Sequence, residues 1–280
     1  MRTILDGKSL NESLGIELKQ NIEKLETKPH LAIVQIGQNK ESNTYIKYKK
    51  AFGEKIGAKV THLQFEDSVP EEKVVGEIQK LNKDKFTHGI IVQLPLPNHL
   101  NKEAIIDSID YRKDVDGLTN INTASLLRGN PTITPATTRG ILTLLKHYDI
   151  SIKGKHAVVV GRSNLVGKPT ALAMLNEGAT VTVCHSGTKD LAKETKQADI
   201  LIVAIGKPKF IGKEHVSKDQ IVIDVGINSL EGLNKNTIGD VDFENVKDEV
   251  QAISPVPKGV GPMTVLSLFQ NLIDAYKTQV

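Results

Sequence analysis

The chain has 280 residues, of which 39% are hydrophobic and 25% charged, a composition typical of one or two globular domains that excludes a disordered or membrane-spanning chain. Its 36 Lys and Arg residues against 33 Asp and Glu leave a formal charge of +3, too small and too evenly spread to favour a nucleic acid or a membrane surface as a partner. A single Cys excludes an internal disulfide framework and a Cys-cluster metal site, so no metal is expected. The first residues lack a signal-peptide core, and we therefore expect a cytoplasmic protein.

The N-terminal part of the chain alternates amphipathic segments with short apolar runs. A first helix is predicted from leucines and isoleucines at helical spacing between Leu10 and Leu25, and Ser9 and Glu12 have the spacing of a capping box at its start. Further helices are predicted over residues 42–56 and 70–81, and strands over residues 31–36, 60–65 and 89–94. Strands separated by helices predict a parallel sheet that is covered by helices on both faces.

Residues 114–135 are irregular and rich in Gly, Asn, Thr and Pro, and we place the domain boundary there. Regular alternation then resumes. Helices are predicted over residues 138–148 and 262–275, and strands over residues 157–160, 180–184, 200–205, 221–225 and 250–253. The sequence therefore predicts an α/β protein with two domains.

A predicted strand runs directly into a glycine-rich turn that extends from Gly161 to Gly167 and leads into a helical segment. This order is typical of dinucleotide-binding domains, where the turn and the helix N-terminus bind the pyrophosphate. The pattern is imperfect because Ser163 and Val166 stand at the second and third glycine positions, and a turn without a ligand remains the alternative. A P-loop is excluded because five residues separate the outer glycines, where a P-loop has four.

The strand after this turn indicates which dinucleotide is bound. An NAD-selective site carries an acidic residue about 20 residues after the turn, but residues 183–188 at that distance contain no acid, and the next one is Asp190. Arg162, Ser163, His185 and Ser186 instead offer hydrogen-bond donors to a 2′-phosphate. We therefore predict NADP as the cofactor.

The second predicted helix carries a lysine on its apolar face. Four residues lie at i, i+4, i+7 and i+11 and so share one face: Tyr45, Lys49, Phe52 and Ile56. A buried ammonium is costly and its pKa falls, although a lysine that extends along the edge of the face to solvent is an alternative. Gln93 at the end of a predicted strand and Asp116 in a tight loop are candidate partners, which together would suit a small polar heterocycle.

Segments from both halves of the chain resemble the bifunctional methylenetetrahydrofolate dehydrogenase/methenyltetrahydrofolate cyclohydrolase family. They cover residues 42–49, 93–97, 113–117, 160–169, 224–228, 239–243 and 254–264. The resemblance implies an N-terminal α/β folate-binding catalytic domain (1–118, completed by a C-terminal helix at about 263–280) and a Rossmann-type NADP-binding domain with a parallel sheet (138–260), with a cleft between them. It implies a homodimer that oxidises 5,10-methylenetetrahydrofolate with NADP and hydrolyses the methenyl product to 10-formyltetrahydrofolate.

The resemblance also implies roles for individual residues. Lys49 matches the catalytic lysine, Tyr45 the tyrosine that stacks on the folate, Gln93 the glutamine that hydrogen-bonds the lysine, and Asp116 the acid that holds the pterin. Further substrate contacts are expected at Leu94, Pro95, Pro257 and Gly259. Cofactor contacts are expected at Gly161, Arg162, Ser163, Val166, Gly167, His185, Ser186, Gly206, Gly226 and Ile227.

The chain departs from the family pattern at a few positions. Ala136 and Thr138 replace a Cys and a Pro, Lys258 replaces a glycine, and Gly187 stands where a basic residue is usual. Three alternatives remain open from the sequence: a dehydrogenase without cyclohydrolase activity, a two-domain dehydrogenase of the shikimate type acting on another small acid, and a non-catalytic nucleotide-binding protein.

Overall fold

The structure is a computed structural model that describes residues 2–229 and 237–279. In chain order its elements are β1 (Thr3–Ile4), α1 (Gly7–Glu23), β2 (His30–Ile36), α2 (Lys40–Ile56), β3 (Lys59–Phe65), α3 (Glu71–Lys83), β4 (Gly89–Val92), α4 (Lys102–Asp107), α5 (Asn120–Leu127), α6 (Ala136–His147), β5 (His156–Val160), α7 (Gly167–Asn176), β6 (Thr180–Cys184), α8 (Leu191–Lys196), β7 (Ile200–Val203), a 3₁₀ helix (Lys213–His215), β8 (Ile221–Asp224), β9 (Asn228–Ser229), β10 (Thr237–Ile238), α9 (Phe243–Val246), β11 (Ala252–Ile253) and α10 (Val260–Gln279). Two compact units result: unit 1 is Met1–Glu12 with Thr137–Thr264, and unit 2 is Ser13–Ala136 with Val265–Val280.

Unit 2 is built on a parallel sheet of order β3-β2-β4. The central strand β2 is buried along its whole length, including its polar residues His30 and Gln35. Its apolar middle, residues 31–34, is typical of a strand in a sheet that is covered on both faces. Val34, Val74 and Ile90 belong to its core, which joins β2 and β4 to α3. A parallel bridge between Ile90 and Asp114 brings the next loop alongside β4. The carboxyl end of β4 and this loop are therefore neighbours.

Unit 1 is built on a parallel six-stranded sheet of order β1-β11-β8-β7-β5-β6. Its core comprises buried side chains such as Val158, Leu201 and Val222. Val160 at the end of β5 pairs with Cys184 at the end of β6 and with Val203 at the end of β7. The segments that follow these three strands therefore lie along one edge of the sheet.

The N-terminal residues lie in a different unit from the one predicted. Residues 1–12 were assigned to the catalytic domain, but they belong to unit 1 because β1 pairs in parallel with β11, Thr3 with Ala252. The amide of Lys8 also donates to the carbonyl of Lys258 at 2.9 Å. Residues 119–136, which were assigned to neither domain, lie in unit 2 together with residues 265–280.

Most predicted helices and strands are confirmed within a few residues at their ends, and no described helix combines the length and hydropathy that crossing a membrane requires. The short elements β1, α4, α5, α8 and α9, and the pair β9–β10, were not predicted. The capping box at Ser9 is wrong. α1 begins at Gly7, and the carboxylate of Asp6 accepts the amides of Lys8 at 2.9 Å and Ser9 at 3.1 Å, because it immediately precedes the first unpaired N–H groups.

Candidate active site

Lys49 lies on the buried face of α2, as the helical spacing predicted. Its side chain is only 9% exposed, and Phe52 and Ile56 on the same face are also buried. Lys47, on the opposite side, is exposed. The Lys49 Nζ donates a hydrogen bond to Gln93 Oε1 at 2.9 Å. This ammonium is therefore directed to a partner inside unit 2, and the alternative in which Lys49 extends to solvent is excluded.

Gln93 is held at the carboxyl end of β4. Its amide donates to the carbonyl of Val34 at 2.8 Å, which extends the pairing with β2 beyond the last strand residue. Its side-chain Nε2 donates to the carbonyl of Leu94 at 2.9 Å, and Ser42 Oγ donates to the same carbonyl at 3.2 Å. Because the amide nitrogen is used in this way, the Oε1 atom is left to accept from Lys49.

Asp116 lies on a loop that a neighbouring carboxylate organises. The buried Asp114 accepts the amides of Gly117 at 3.0 Å and Thr119 at 2.8 Å, and the side chain of Asn122 at 2.9 Å. Gly117 adopts a φ of +74°, and a Cβ there would lie 2.8 Å from the backbone nitrogen of Pro135, so glycine is required. The loop therefore presents Asp116 from a fixed backbone.

The charges of Lys49 and Asp116 perturb each other, but burial dominates for both. Burial lowers the pKa of Lys49, and the negative charge of Asp116 opposes that change. Burial raises the pKa of the half-buried Asp116, and the positive charge of Lys49 opposes that change. A lysine with a lowered pKa can give and accept a proton near neutral pH much more readily than an exposed lysine.

The remaining predicted substrate contacts are divided between the two units. In unit 2, the half-buried Tyr45 lies one helical turn before Lys49 on α2, while Leu94 and the exposed Pro95 follow Gln93 directly. In unit 1, Pro257 is exposed and Gly259 is buried. A Cβ at Gly259 would lie 2.4 Å from the carbonyl oxygen of Pro255. Lys258 between them adopts a φ of +89°, which favours the glycine usual in the family.

In unit 1 the glycine-rich turn depends on close backbone packing. Gly161 has a φ of +130°, and a Cβ there would lie 2.2 Å from the carbonyl oxygen of Ala204. A Cβ at Gly167 would lie 2.2 Å from the carbonyl oxygen of Gly161. Ser163 Oγ accepts the amides of Val166 at 3.2 Å and Gly167 at 3.3 Å. The turn therefore tolerates serine at the second glycine position because the hydroxyl caps the start of α7.

The residues predicted for the 2′-phosphate follow β5 and β6, which are paired neighbours. Arg162 and Ser186 are exposed and His185 is half-buried. The His185 Nδ1 accepts the amide of Gly187 at 3.0 Å, so the proton of the neutral ring lies on Nε2, which remains a donor. A Cβ at residue 187 would lie 3.0 Å from His185 Cε1. Glycine therefore suits the local packing where the family has a basic residue.

The last predicted cofactor contacts follow the ends of β7 and β8. Gly206 has a φ of +64° and is exposed. Gly226 is buried, and Ile227 is 47% exposed. A helix N-terminus, a turn that only glycine allows at its first position and hydrogen-bond donors in the segment after β6 fit an anionic dinucleotide.

Two further departures from the family pattern are accommodated by the local packing, one of them with a hydrogen bond. The fully buried Thr138, which replaces a proline, pairs its hydroxyl with that of Thr170 at 3.1 Å. The neighbouring Thr137 hydroxyl accepts from Thr264 Oγ1 at 3.3 Å. Ala136, which replaces a cysteine, is buried without any need for a polar partner.

Some residues that support the site were not predicted. Asp114 organises the Asp116 loop, and Asn271 on α10 donates to the carbonyls of Val115 at 2.8 Å and Thr134 at 2.9 Å on either side of it. Asp114 stands within a segment that carried the family resemblance, but nothing in its spacing indicated burial. Asn271 is a polar residue within the apolar pattern of a helix, and this was the one sequence feature that indicated a buried hydrogen-bonding role for it.

Unit 1 has a parallel sheet with a glycine turn, and unit 2 has a buried lysine with a half-buried glutamine and aspartate. These features are typical of an α/β dinucleotide-binding enzyme of two units. The model of the tetrahydrofolate dehydrogenase/cyclohydrolase catalytic domain matches residues 5–116, and that of the NAD(P)-binding domain of the same family matches residues 135–280. The chain belongs to the tetrahydrofolate dehydrogenase/cyclohydrolase family.

Individual relatives are similar to this chain along almost its whole length. The bifunctional protein FolD of Bacillus cytotoxicus is 45% identical over 277 residues, which cover 98% of this chain and 96% of that protein. The crystal structure of the bifunctional enzyme FolD from Campylobacter jejuni has a TM-score of 0.96 and 42% identity, with all of both chains covered. The Trypanosoma brucei FolD in complex with NADP and an inhibitor has a TM-score of 0.95 and 33% identity, covering 99% of this chain and 98% of that one.

Both domains of the family, the catalytic domain and the NAD(P)-binding domain, are thus present in this chain. The family is named for a dehydrogenase and a cyclohydrolase that act on tetrahydrofolate derivatives, with an NAD(P)-binding domain. The chain is accordingly a folate-dependent oxidoreductase and hydrolase with a nicotinamide cofactor. This result replaces the shikimate-type dehydrogenase and the non-catalytic binding protein as alternatives.

Proposed function

We propose that this chain oxidises 5,10-methylenetetrahydrofolate with NADP and then hydrolyses the methenyl product to 10-formyltetrahydrofolate, with Lys49 as the catalytic residue of the hydrolysis. The observation that carries the proposal is the 2.9 Å hydrogen bond from the buried Lys49 Nζ to Gln93 Oε1. An ammonium on a buried helix face costs folding free energy, so its presence there indicates a functional purpose. Proton transfer in the cyclohydrolase step is such a purpose.

The hydrolysis requires three proton transfers at two atoms, the oxygen of the attacking water and N5 of the substrate. A water molecule adds to the methenyl carbon and loses one proton. Breaking the bond from that carbon to N5 requires a proton on N5, and the carbonyl of the formyl group forms as the second water proton leaves. One proton is released overall. Lys49, with its lowered pKa, accepts and returns a proton at these atoms, and Gln93 directs its Nζ through the fixed Oε1.

The other proposed substrate contacts in unit 2 bind without exchanging protons. Asp116 accepts hydrogen bonds from the amino-pyrimidine edge of the pterin, and its fixed loop supports this role. Tyr45 stacks on the aromatic part of the substrate, one turn from Lys49. Leu94 and Pro95 line the same strand end.

For the oxidation, NADP supplies the acceptor that takes a hydride from the methylene carbon. The turn from Gly161 to Gly167, including Val166, and the start of α7 hold the pyrophosphate. Arg162, Ser163, His185 and Ser186 hold the 2′-phosphate, and the lack of an acid among residues 183–188, at the end of β6, favours NADP over NAD. Hydride transfer needs no protein base, so unit 1 contributes mainly by positioning.

An assay with 5,10-methylenetetrahydrofolate tests both activities at once. Reduced nicotinamide is followed with NADP and separately with NAD, and methenyltetrahydrofolate is measured after acid quench in the same samples. We expect reduced cofactor to form with NADP while methenyl product stays below the matching amount. Stoichiometric accumulation of the methenyl compound would leave a dehydrogenase alone, and absence of turnover with either cofactor would refute the proposed function.

We also propose that the chain forms a homodimer in the cytoplasm. The support is the edge strand β6 of the six-stranded sheet, where Val183 is 38% exposed, and the neighbouring α7, where Leu175 is 55% exposed. An unpaired strand edge with apolar side chains is a surface that proteins usually cover. Light scattering should give twice the chain mass for the wild type and a lower mass for Val183→Arg. A monomeric wild type would contradict the proposal.

A further inference from the structure

Two aspartates of unit 1 are buried where polar side chains are rare. Asp224 is the last residue of β8 and is 2% exposed, and Asp240 follows β10 and is fully buried. Within the described part of the chain, neither carboxylate forms an ion pair with Lys, Arg or His. Both are satisfied by N–H groups instead, and burial raises the pKa of Asp224 to about 7.

Asp224 joins the segment after β8 to the segment after β10. Its Oδ1 accepts the amides of Gly226 at 2.9 Å and Asp240 at 3.0 Å, and its Oδ2 accepts the amide of Val241 at 2.9 Å. A Cβ at Gly239 would lie 1.8 Å from Asp224 Oδ2. The backbone is thus packed directly against this carboxylate, and it holds Asp240 in place.

Asp240 in turn joins the segments after β7 and β8. Its Oδ2 accepts the amides of Ile205 at 2.7 Å and Gly206 at 2.9 Å, and its Oδ1 accepts Asn228 Nδ2 at 2.9 Å. A Cβ at Gly226 would lie 2.2 Å from Asp240 Cγ. One carboxylate therefore fixes two strand-end segments relative to each other.

These segments lie at the carboxyl edge of the parallel sheet, where ligands of such folds bind. The strand order β8-β7-β5-β6 places the β6 segment, with the proposed 2′-phosphate donors, on one side of the glycine turn. The segments after β7 and β8 lie on the other side. A dinucleotide whose pyrophosphate lies at the turn after β5 extends its nicotinamide half towards β7 and β8.

We propose that Asp240, itself held by Asp224, is a positioning residue for the nicotinamide half of the cofactor. It sets the spacing of the backbone at Ile205 and Gly206 against that at Gly226 and Ile227, and so the placement of the ring that receives the hydride. The inference rests on the proposed NADP-dependent oxidation. The Asp240 carboxylate is fully buried and acts through the N–H groups that it holds.

The variant Asp240→Asn tests this role because it keeps the shape of the side chain but replaces one acceptor oxygen with an NH₂ group. That group must then face either the Ile205 and Gly206 amides or the Asn228 amide, which are all donors. We expect the KM for NADP to rise and the dehydrogenase kcat to fall, each by about tenfold or more. Hydrolysis of added methenyltetrahydrofolate, which depends on Lys49 in unit 2, should stay within about twofold.

Asp199→Asn is the matched control. Asp199 directly precedes β7 at the opposite end of the same strand, and its Oδ2 accepts the amide of His156 at 2.8 Å. This variant removes a carboxylate of unit 1 far from the carboxyl edge, so both activities and the KM for NADP should remain near those of the wild type. If Asp199→Asn and Asp240→Asn change the NADP kinetics equally, the role assigned to Asp240 is wrong.

Asn228→Ala keeps the inference testable if Asp240→Asn does not fold. It removes one donor to Asp240 while leaving both backbone bonds, and a smaller rise in the KM for NADP is expected with hydrolysis unchanged. A parallel loss of both activities in these variants would indicate general destabilisation and overturn the inference. Absence of NADP-dependent oxidation in the wild type would instead refute the proposed function, so the two failures are distinguishable.

Discussion

The candidate site of unit 2 and that of unit 1 are built from different parts of the polypeptide. In unit 2 the site consists of side chains, and burial shifts the pKa values of Lys49 and Asp116 in opposite directions. In unit 1 the site consists mainly of backbone, with glycines whose Cβ atoms would collide with carbonyl oxygens and with buried aspartates that fix strand ends. Hydrolysis needs groups that titrate, whereas hydride transfer needs only correct placement. Substitutions in the two units should therefore affect the two activities separately.

The largest effect is expected for Lys49→Met, which removes the titrating group and keeps the apolar stem. Hydrolysis of methenyltetrahydrofolate should fall by about a thousandfold, while NADP binding and the melting temperature are preserved, since a buried ammonium is removed. Stopped-flow absorbance of the methenyl compound and a cofactor titration measure both. Lys47→Met, on the exposed side of α2, is the control. Substantial hydrolysis by Lys49→Met would contradict the role of this lysine.

Gly161→Ala should damage the other unit. The added Cβ would lie 2.2 Å from the Ala204 carbonyl at a φ of +130°, so the turn must shift, at a cost of about 2 kcal/mol of folding stability. We expect the KM for NADP to rise about tenfold or more while hydrolysis of methenyltetrahydrofolate persists. Gly154→Ala has a positive φ but no atom within 4 Å of the new Cβ, and it separates backbone strain from the collision. Equal effects of both variants on NADP kinetics would argue against a special role of the turn.

Asp116→Ala should weaken the use of folate by about tenfold in KM, with the affinity for NADP little changed. It should also move the pH profile of hydrolysis. The charge of Asp116 raises the pKa of Lys49 against the effect of burial. Removing that charge lowers the pKa of Lys49 further, so the limb of the pH profile that reports the titration of Lys49 should shift to lower pH. The kinetics of hydrolysis between about pH 6 and 9 measure the shift. A large loss of NADP binding, or a limb that moves towards alkali, would contradict this placement of Asp116.

The smallest effect should be a difference in acid stability between the units. In unit 2, burial lowers the pKa values of His30 and His88, so the unfolded chain takes up protons more readily. Stability from these groups is complete above the ordinary histidine pKa of about 6.5 and is lost as the pH falls below it. In unit 1, the pKa of Asp224 is raised to about 7. Acidification through that range adds a proton to the folded state and stabilises it.

Hydrogen exchange at about pH 7.5 and 5.5, corrected for intrinsic rates, compares the two responses in one sample. Protection of β2 and β4 should decrease on acidification, while protection of β7 and β8 is kept or increases. His88→Gln should reduce the change in unit 2, since His88 Nδ1 accepts the amide of His30 at 3.1 Å. The same change in both units would mean that these groups do not determine the pH response.

The elements that the sequence predicted well are those with many apolar residues in a regular pattern. β2 has four consecutive apolar residues, 31–34, and the structure buries the whole strand. The placement of Lys49 followed from the 3.6-residue period of α2. The short helices α4 and α5 carry too few residues for such a pattern. Their caps were the available signals: Asn101 accepts the amide of Ala104, and Thr119 accepts the amide of Asn122.

Polar residues that support a site from within the fold were beyond this kind of prediction. Asp240 was part of a segment that resembled the family, yet its function as an acceptor for amides more than 30 residues away depends on the tertiary structure. Asn271 holds the carbonyl of Val115 across an even longer stretch of chain. Periodicity shows which residues are buried, but it does not show which backbone groups a buried polar residue will meet.

The way in which the chain ends are distributed has a consequence for biosynthesis. The first 12 residues belong to unit 1 and residues 265–280 to unit 2, where Phe269 packs against Phe52 with ring centroids 5.4 Å apart. Proteins usually fold in order of emergence from the ribosome, but here neither unit is a continuous stretch of nascent chain. The strands of unit 2 are synthesised before all the strands of unit 1 except β1. The core of unit 2 can nevertheless close only after residues 265–280 have been translated.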